Sequence, residues 1–231
     1  MEPGRLARIR AGLTGGGAEG AGPPARLCEI TRDVVGVTGA GVMLMSGDLP
    51  TGTLCTTDAV SNQIEELQYT LGEGPCVDAY HQGQVVSEPD LARPGTPRWP
   101  AFADAAARAG ARAVFGFPLH LGAARLGALN LYRDAPGPLS DDQHADALVM
   151  AEVIAGWVLN VQAVAAPDTL AVELARGDFH FVVHNAAGAV SVQLDVSVTE
   201  ALIRLRAYAF ANSRPLEDVA EDVVARRLCF E

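Results

Sequence analysis

Two adjacent β-strand patterns in the middle of the chain constrain its fold more than any other feature. Residues 114–121 (Val-Phe-Gly-Phe-Pro-Leu-His-Leu) and 125–132 (Arg-Leu-Gly-Ala-Leu-Asn-Leu-Tyr) are separated by a short Gly-Ala-Ala segment, which predicts a β-hairpin. The apolar segments 42–45 and 52–57 predict a second hairpin nearer the N-terminus, and residues 84–87 predict a further strand. Helical patterns lie before, between and after these strands, so the sequence predicts an α+β fold with an antiparallel sheet.

Four helical patterns accompany the strands. Three of them are residues 26–37, residues 61–69 with Ser61 as N-cap, and residues 99–109. The fourth is a long helix that begins at a capping box of Ser140 and Gln143 and ends near residue 165. Two apolar stripes run along the long helix, one made of Ala147, Ala151, Ile154, Val158, Val161 and Ala165, and an adjacent one made of Met150, Val153, Trp157 and Val164. Two stripes indicate either two partners, namely the chain's own sheet and a second subunit, or deep burial within one chain.

Composition and charge exclude several classes of protein. A 231-residue chain with 49% hydrophobic and 19% charged residues is globular rather than disordered. The net charge of −11 argues against non-specific coating of nucleic acid, because such binding depends on neutralising phosphates. No continuous apolar run reaches the roughly 18 residues of a membrane span. Residues 1–24 predict a flexible leader rather than a secretion signal.

The four cysteines, Cys28, Cys55, Cys76 and Cys229, are far apart and form no Cys-x-x-Cys pair. This spacing predicts neither a disulfide framework nor a zinc site, and it favours the reducing cytoplasm. Cys76 begins a predicted helix, so either the helix dipole lowers its thiol pKa and makes it reactive, or it is a small buried apolar residue. The sequence contains no common catalytic motif and does not predict an enzyme.

The order of these elements, the turn at residues 71–76 (Leu-Gly-Glu-Gly-Pro-Cys) and the hairpin at 117–131 resemble a GAF domain over roughly residues 25–163. The resemblance implies a sensor of a small ligand or a redox signal, with a pocket between the sheet and residues 61–99. The residues expected to line that pocket are Cys76, Tyr80, His81, Trp99, Phe102 and Phe115. The chain has no lysine, so the Asn-Lys-Phe-Asp-Glu signature of the cyclic-nucleotide-binding members is absent, and the cofactor or ligand stays unknown.

The turn is also similar to the Gly-x-Gly-x-Cys of GAF-type free methionine-(R)-sulfoxide reductases. Those enzymes use several cysteines around the pocket, whereas Cys55 is the only other candidate in the central part of this region. A sulfenic intermediate on Cys76 would lack a resolving thiol, so this activity is the less favoured alternative.

The last fifth of the chain contains three helical patterns separated by two short breaks. The first has an apolar stripe at 182–194, the second begins at a capping box of Ser197 and Glu200, and the third begins at Pro215. Small residues at the contact positions predict a closely packed three-helix bundle. With residues 167–231 as one unit and 25–166 as another, the chain is expected to have two domains after its leader.

The three patterns resemble the ANTAR domain, an RNA-binding transcription antitermination module, in residues 186–188, 197–209 and 216–223. The resemblance implies a homodimer, paired through helix 141–165, that binds tandem RNA stem-loops near terminators. The residues expected to contact RNA are Arg204, Arg206, Tyr208, Arg214, Ala187 and Gly188, with Arg226 and Arg227 as further candidates. Where many members carry basic side chains before the first glycine, this chain has Asn185 and Ala187.

These features lead to one expected function and two alternatives. The expected protein is a cytoplasmic antitermination regulator without a membrane anchor, in which a GAF domain senses a signal and a dimeric ANTAR domain binds RNA. The first alternative is a dimeric protein-interaction module that does not bind RNA, and the second is the reductase.

Overall fold

The computed structural model describes residues 23–46, 49–93, 98–164 and 180–230. The expected leader up to residue 22, and the expected junction at Pro167 and Asp168, lie outside these ranges. The strands are β1 Gly39–Ser46, β2 Leu49–Thr56, β3 Val86–Glu88, β4 Ala113–Leu121 and β5 Ala124–Arg133. The helices of the described residues are α1 Pro23–Val35, α2 Ala59–Leu71, α3 Pro75–Gln82, α4 Pro100–Ala109, α5 Asp141–Val164, α6 Phe181–Leu194, α7 Val198–Ala211 and α8 Leu216–Val224.

The strands form one antiparallel sheet in the order β2-β1-β5-β4-β3. Both predicted hairpins are present, and the α+β class is confirmed. The turn of the β4–β5 hairpin contains Gly122 in the left-handed conformation, as its short loop requires.

The two faces of the sheet have different environments because side chains alternate along each strand. On β5, Leu129 and Leu131 face α1 and α5, and together they form the larger apolar core. Ala128 and Tyr132 face the opposite side, where α2, α3 and α4 pack. The sheet is therefore covered by helices on both faces, and the polar site described below lies on the second face.

The N-cap of helix α2 lies three residues before the expected one. Asp58 is the N-cap and its carboxylate accepts a hydrogen bond from the backbone N–H of Ser61 at 2.7 Å. Ser61 is the third residue of this capping box, and its hydroxyl accepts from the backbone N–H of Asp58 at 3.0 Å. The assignment of Ser61 as N-cap was wrong because Asp and Ser are both good caps and only the backbone geometry distinguishes them.

The capping box at the start of α5 is confirmed. The Gln143 backbone N–H donates to Ser140 Oγ at 3.2 Å, and Gln143 Oε1 accepts from the Ser140 backbone N–H at 3.0 Å. The other atom of the Gln143 amide, Nε2, donates to the carbonyl oxygens of Val35 and Gly36, both at 3.0 Å. One side chain thus joins the start of α5 to the end of α1.

The apolar stripes of α5 differ in burial. Ala147, Met150, Ile154 and Val158 are buried in the larger core. Val153 and Trp157 are only partly buried at its edge, and Leu148 is 46% exposed. Among the described residues, Asp141–Gln162 is long and apolar enough to cross a membrane by length and composition, but much of this segment packs against the chain's own sheet.

Cys28 and Cys55 form a disulfide, with their Cα atoms 6.2 Å apart. The expectation that the cysteines would not pair was wrong, because the fold places α1 against β2 and brings together two residues that are 27 positions apart. Cys76 is a buried free thiol and Cys229 is an exposed one.

The three C-terminal helices form the expected bundle, called here the C-terminal bundle (α6–α8). Its centre contains Val183, Ala187, Leu205, Leu216 and Val219, all buried. Ser197 caps α7 by accepting from the Glu200 backbone N–H at 3.1 Å. The Glu200 carboxylate does not complete the capping box and instead accepts from Arg204 at 2.7 Å.

Candidate functional site

A group of polar side chains is buried between the sheet and helices α2 and α3. Glu65 and Gln68 from α2 are fully buried, Asn130 from β5 is 2% exposed and Cys76 from α3 is 1% exposed. We call these four residues the interior polar cluster. Buried Glu, Gln and Asn side chains are uncommon without partners, so the cluster requires a physical reason.

Strand pairing creates the space for the Glu65 carboxylate. Gly41 on β1 pairs with Asn130 on β5, and the carboxylate lies directly over Gly41. A Cβ atom added at Gly41 would lie 2.4 Å from Glu65 Oε1, so only glycine leaves room for the acid at this point of the sheet. Asn130 is the polar neighbour of Glu65 on the same face.

The turn between α2 and α3 positions the rest of the cluster. Gly72 ends α2 in the left-handed conformation, with its N–H donating to the Gln68 carbonyl. Gln68 Oε1 accepts from the backbone N–H of Cys76 at 2.7 Å, which holds the Gln68 amide against the first turn of α3. A Cβ atom at Gly74 would lie 2.6 Å from Gln68, so this glycine also allows a close approach.

Burial controls the charge of Glu65. Removal from water raises the pKa of Glu65 to about 8, against the opposing effect of the Asn130 amide. The carboxyl group is therefore mainly protonated at neutral pH and can donate a hydrogen bond as well as accept one. Four atoms of the cluster make no hydrogen bond of good geometry, namely Glu65 Oε1, Glu65 Oε2, Gln68 Nε2 and Asn130 Oδ1, although the Asn130 amide lies near enough to the Glu65 carboxyl to lower its pKa. Gln68 Nε2 and the protonated Glu65 carboxyl can donate hydrogen bonds to a bound ligand, and the Glu65 and Asn130 oxygens can accept them.

The residues predicted to line the sensor pocket do not form one group. Cys76, Trp99 and Phe102 lie together on the α2–α4 side of the sheet. Trp99 is fixed there by donating its Nε1–H to Asp78 Oδ2 at 3.1 Å. The assignment of Phe115 was wrong, because strand alternation points it into the opposite core with α5.

Two further predicted pocket residues lie elsewhere. Tyr80 is buried next to the C-terminal bundle. It also lines a cavity of about 390 Å³ beside the β4–β5 turn. His81 is exposed on the surface.

The environment of Cys76 favours the apolar interpretation over the reactive one. Burial raises the pKa of its thiol, and the nearby Glu65 acts in the same direction. Cys55, the other thiol considered for redox chemistry, is bonded to Cys28. A protonated, buried thiol is a poor nucleophile.

Glu65, Gln68 and Asn130 were missed as site residues in the sequence. A faint signal was present, because Glu65 and Gln68 fall on the same helical face as the buried Ile64 and Tyr69. Asn130 interrupts an apolar strand at a position that alternation places beside Ala128.

The C-terminal bundle packs against the α2 side of the α+β domain. The His180 ring stacks on the Tyr69 ring with centroids 3.8 Å apart. Its Nε2 lies 3.2 Å from Glu66 Oε1 and its Nδ1 lies 2.9 Å from Glu217 Oε1. The two carboxylates raise the pKa of His180 although burial opposes them. Met43, Met45 and Tyr80 join the same apolar cluster as the bundle, so the two parts share buried surface.

Four of the basic residues expected to contact RNA, namely Arg204, Arg206, Arg214 and Arg227, already have partners within the protein. The Arg206 guanidinium is turned toward the α+β domain and donates Nη2–H to the Tyr69 carbonyl oxygen. Arg204 pairs with Glu200 at 2.7 Å, and Arg214 pairs with Asp222 at 2.7 Å. Arg227 pairs with the same Asp222 at 2.6 Å.

The other expected RNA contacts differ in access. The Ala187 side chain is buried in the bundle core, so the expectation that it touches RNA was wrong. The burial of Ala187 follows from the helical period, which places residue 187 on the same inward face as Val183 and Val190. Tyr208 is half-buried against Phe230, with ring centroids 5.5 Å apart, and Gly188 has open space around it.

Comparison with known proteins identifies the α+β part. A family model of the GAF domain matches residues 25–159. The GAF domain of an Acinetobacter phosphoenolpyruvate-protein phosphotransferase is 12% identical with a TM-score of 0.50, over 72% of this chain and 99% of that one. No curated protein matches the sequence.

Two other solved structures are similar at lower scores. The GAF domain of a Coxiella burnetii phosphoenolpyruvate-protein phosphotransferase is 12% identical with a TM-score of 0.49, over 69% of this chain and 94% of that one. A type II free methionine-R-sulfoxide reductase from Thermoplasma acidophilum is 14% identical with a TM-score of 0.44, over 68% of this chain and 96% of that one. Identities of 12% and 14% do not indicate a shared activity.

Proposed function

This chain belongs to the GAF domain family, and we propose on that premise that it is a signal-responsive regulator. Its GAF domain senses a small polar molecule, and its C-terminal bundle carries the output. The observation that supports the sensing role best is the interior polar cluster, in which four buried polar atoms between the sheet and helices α2 and α3 make no hydrogen bond of good geometry. A buried polar atom without a partner costs about 1–3 kcal/mol, so a ligand that hydrogen-bonds to several of them gains affinity.

The sensing role can be tested on the full chain with a panel of polar metabolites in a thermal-shift assay. We expect a stabilising compound whose effect is lost in Asn130→Ala and Glu65→Ala. The exposed Glu221→Gln variant is the matched control and should respond like the parent. A stabilising compound that acts equally on all three variants would place its site outside the cluster and contradict the proposal.

The specific output that we propose is transcription antitermination in the cytoplasm. It rests on the resemblance of residues 186–223 to the ANTAR domain. In this proposal two bundles, paired through helix 141–165, bind tandem RNA stem-loops near a terminator. Because Arg206 is held against Tyr69, its contact with RNA requires the bundle to leave the GAF domain.

A gel shift of the full chain against tandem hexaloop hairpins tests the RNA proposal. We expect binding at low salt that weakens as salt rises, because guanidinium–phosphate contacts release counterions. The Arg204→Gln and Arg214→Gln variants should bind less RNA than the parent. Arg108→Gln, an exposed substitution in the GAF domain, is the control. No shift at low salt, or equal binding by all variants, would rule out this output.

One observation favours a second candidate, a protein-interaction module that does not bind RNA. Arg204, Arg214 and Arg227 are paired with carboxylates, and the chain as a whole carries a net charge of −11. Paired arginines in an acidic protein offer phosphates little free positive charge. If the gel shift fails while the sensing experiment succeeds, this second candidate is supported.

A further inference from the structure

A cleft runs along the contact between the GAF domain and the C-terminal bundle, and we call it the seam cleft. Its volume is about 350 Å³, which is within the usual range for small-ligand sites. The GAF side is formed by Leu71, Gly72 and Ala101. The bundle side is formed by Ile203, Arg206 and Phe210 from one face of α7. The cleft is separate from the interior polar cluster, none of whose residues lines it.

The bundle wall of the seam cleft contains two large apolar side chains, Ile203 and Phe210, that do not belong to the bundle core. Another face of α7 supplies the bundle core through Leu202, Leu205 and Ala209. On the cleft side, Ile203 is 57% exposed and Phe210 is 70% exposed. Large apolar side chains grouped in a concave surface are typical of binding sites, since exposing them to water is unfavourable.

Arg206 adds a positive charge with an incomplete set of partners. Its Nη2 donates to the Tyr69 carbonyl oxygen, and its guanidinium lies 5.8 Å from the centre of the Tyr69 ring. Its Nε is removed from solvent and has no hydrogen-bond partner. Within the described residues, no carboxylate lies at ion-pair distance from Arg206, whereas Arg204 and Arg214 each have one. A desolvated cation without a counter-ion is unfavourable, and an anion in the cleft would correct this.

The turn after α2 determines how close Arg206 lies to the GAF domain. A Cβ atom at Gly72 would lie 2.7 Å from Arg206 Nη1, so the missing side chain at Gly72 makes room for the guanidinium. Glu73 also lines the cleft. Its carboxylate disfavours a ligand with several negative charges, so a single anionic group is the best match.

We propose that the seam cleft binds a small amphipathic carboxylate. The carboxylate pairs with the Arg206 guanidinium, and the apolar body of the ligand packs on Ile203, Phe210 and Leu71. Because the two walls belong to different parts of the chain, the bound ligand holds the bundle against the GAF domain. This site is additional to the sensing site and does not depend on RNA binding.

The test compares 4-phenylbutyrate with its neutral counterpart 4-phenyl-1-butanol by isothermal titration calorimetry on the full chain. We expect the carboxylate to bind at least tenfold more tightly than the alcohol. In Arg206→Gln the two compounds should bind with equal affinity, because the charge that distinguishes them is gone. Arg108→Gln, which removes an exposed arginine of α4 outside the cleft, should keep the preference.

Two exposed substitutions test the apolar wall without threatening the core. Ile203→Ser and Phe210→Ser should weaken both compounds by a similar factor, about fivefold or more, and leave their ratio unchanged. The proposal is overturned if the parent binds neither compound at millimolar concentration or binds both equally. It is also overturned if Arg206→Gln keeps the preference, or if Asn130→Ala abolishes binding, since the latter result would place the ligand in the interior polar cluster.

Discussion

The protonation of Glu65 should make the stability of this protein fall as pH rises through the neutral range. Burial raises the pKa of Glu65 from 4.5 to about 8, so the folded protein binds a proton that the unfolded chain releases between these values. The stabilisation linked to that proton is complete below pH 4.5 and is lost as pH rises through about 8. One pKa unit corresponds to about 1.4 kcal/mol, so a shift of this size makes stability decrease by roughly 2–3 kcal/mol between pH 6 and pH 8.5.

The substitution Glu65→Gln keeps the shape of the side chain and removes its titration. We expect the variant to lose most of this decrease and to be more stable than the parent at pH 8.5. The measurement is urea unfolding of both proteins at several pH values, followed by circular dichroism. Glu221→Gln, at an exposed position of α8, controls for the change of one charge. If the parent and Glu65→Gln have parallel pH profiles, Glu65 is ionised in the folded protein and the reasoning about the cluster is refuted.

Three further predictions concern the seam, the disulfide and the subunit interface. The two carboxylates beside His180 raise its pKa above 6.5, so its stabilisation of the seam is present below that value and is lost as pH rises through the folded pKa. Amides of α6 should therefore exchange hydrogen more slowly at pH 6 than at pH 8 after correction for intrinsic rates, and His180→Gln should remove the difference. Reducing the Cys28–Cys55 bond, which joins residues 27 positions apart, should lower the free energy of unfolding by about 3–4 kcal/mol. The stability of a double variant with Cys28→Ser and Cys55→Ser should not respond to reductant. If helix 141–165 pairs two subunits, Leu148→Glu should yield monomers by light scattering. Leu121→Glu, at a residue of similar exposure on the β4–β5 hairpin, is the control and should leave the dimer intact. A dimer that survives Leu148→Glu would contradict pairing through that face.

The elements that could be predicted were those whose signals are local. The two strand patterns within residues 114–132, separated by a short Gly-Ala-Ala turn, predicted a hairpin in the correct place, and the Ser140–Gln143 capping box predicted the start of α5. Each depends on a few neighbouring residues. The face on which Phe115 points depends on the register of the whole sheet, and its pocket assignment failed for that reason.

The main parts of the candidate site depend on contacts between residues far apart in sequence. Glu65 is buried because Gly41 leaves space beneath it, and no local pattern links these two positions. The Cys28–Cys55 pair arises only after α1 packs on β2. Likewise, the inward direction of Arg206 depends on Gly72 and Tyr69, which lie more than 130 positions earlier. A single sequence contains the residues of these contacts but not their proximity.

The amide of Gln143 has a mechanical consequence. Because it closes the first turn of α5 and also holds the last carbonyls of α1, these two helix ends move together. Helix α1 is in turn tethered to the edge strand β2 by Cys28 and Cys55, and β2 presents the backbone of Pro50 and Thr51 to His184 of the bundle. A movement of α5 is therefore passed on to the bundle through α1 and β2. The Cys28–Cys55 disulfide is the covalent link on this path. Opening that bond would remove the covalent link between α1 and β2.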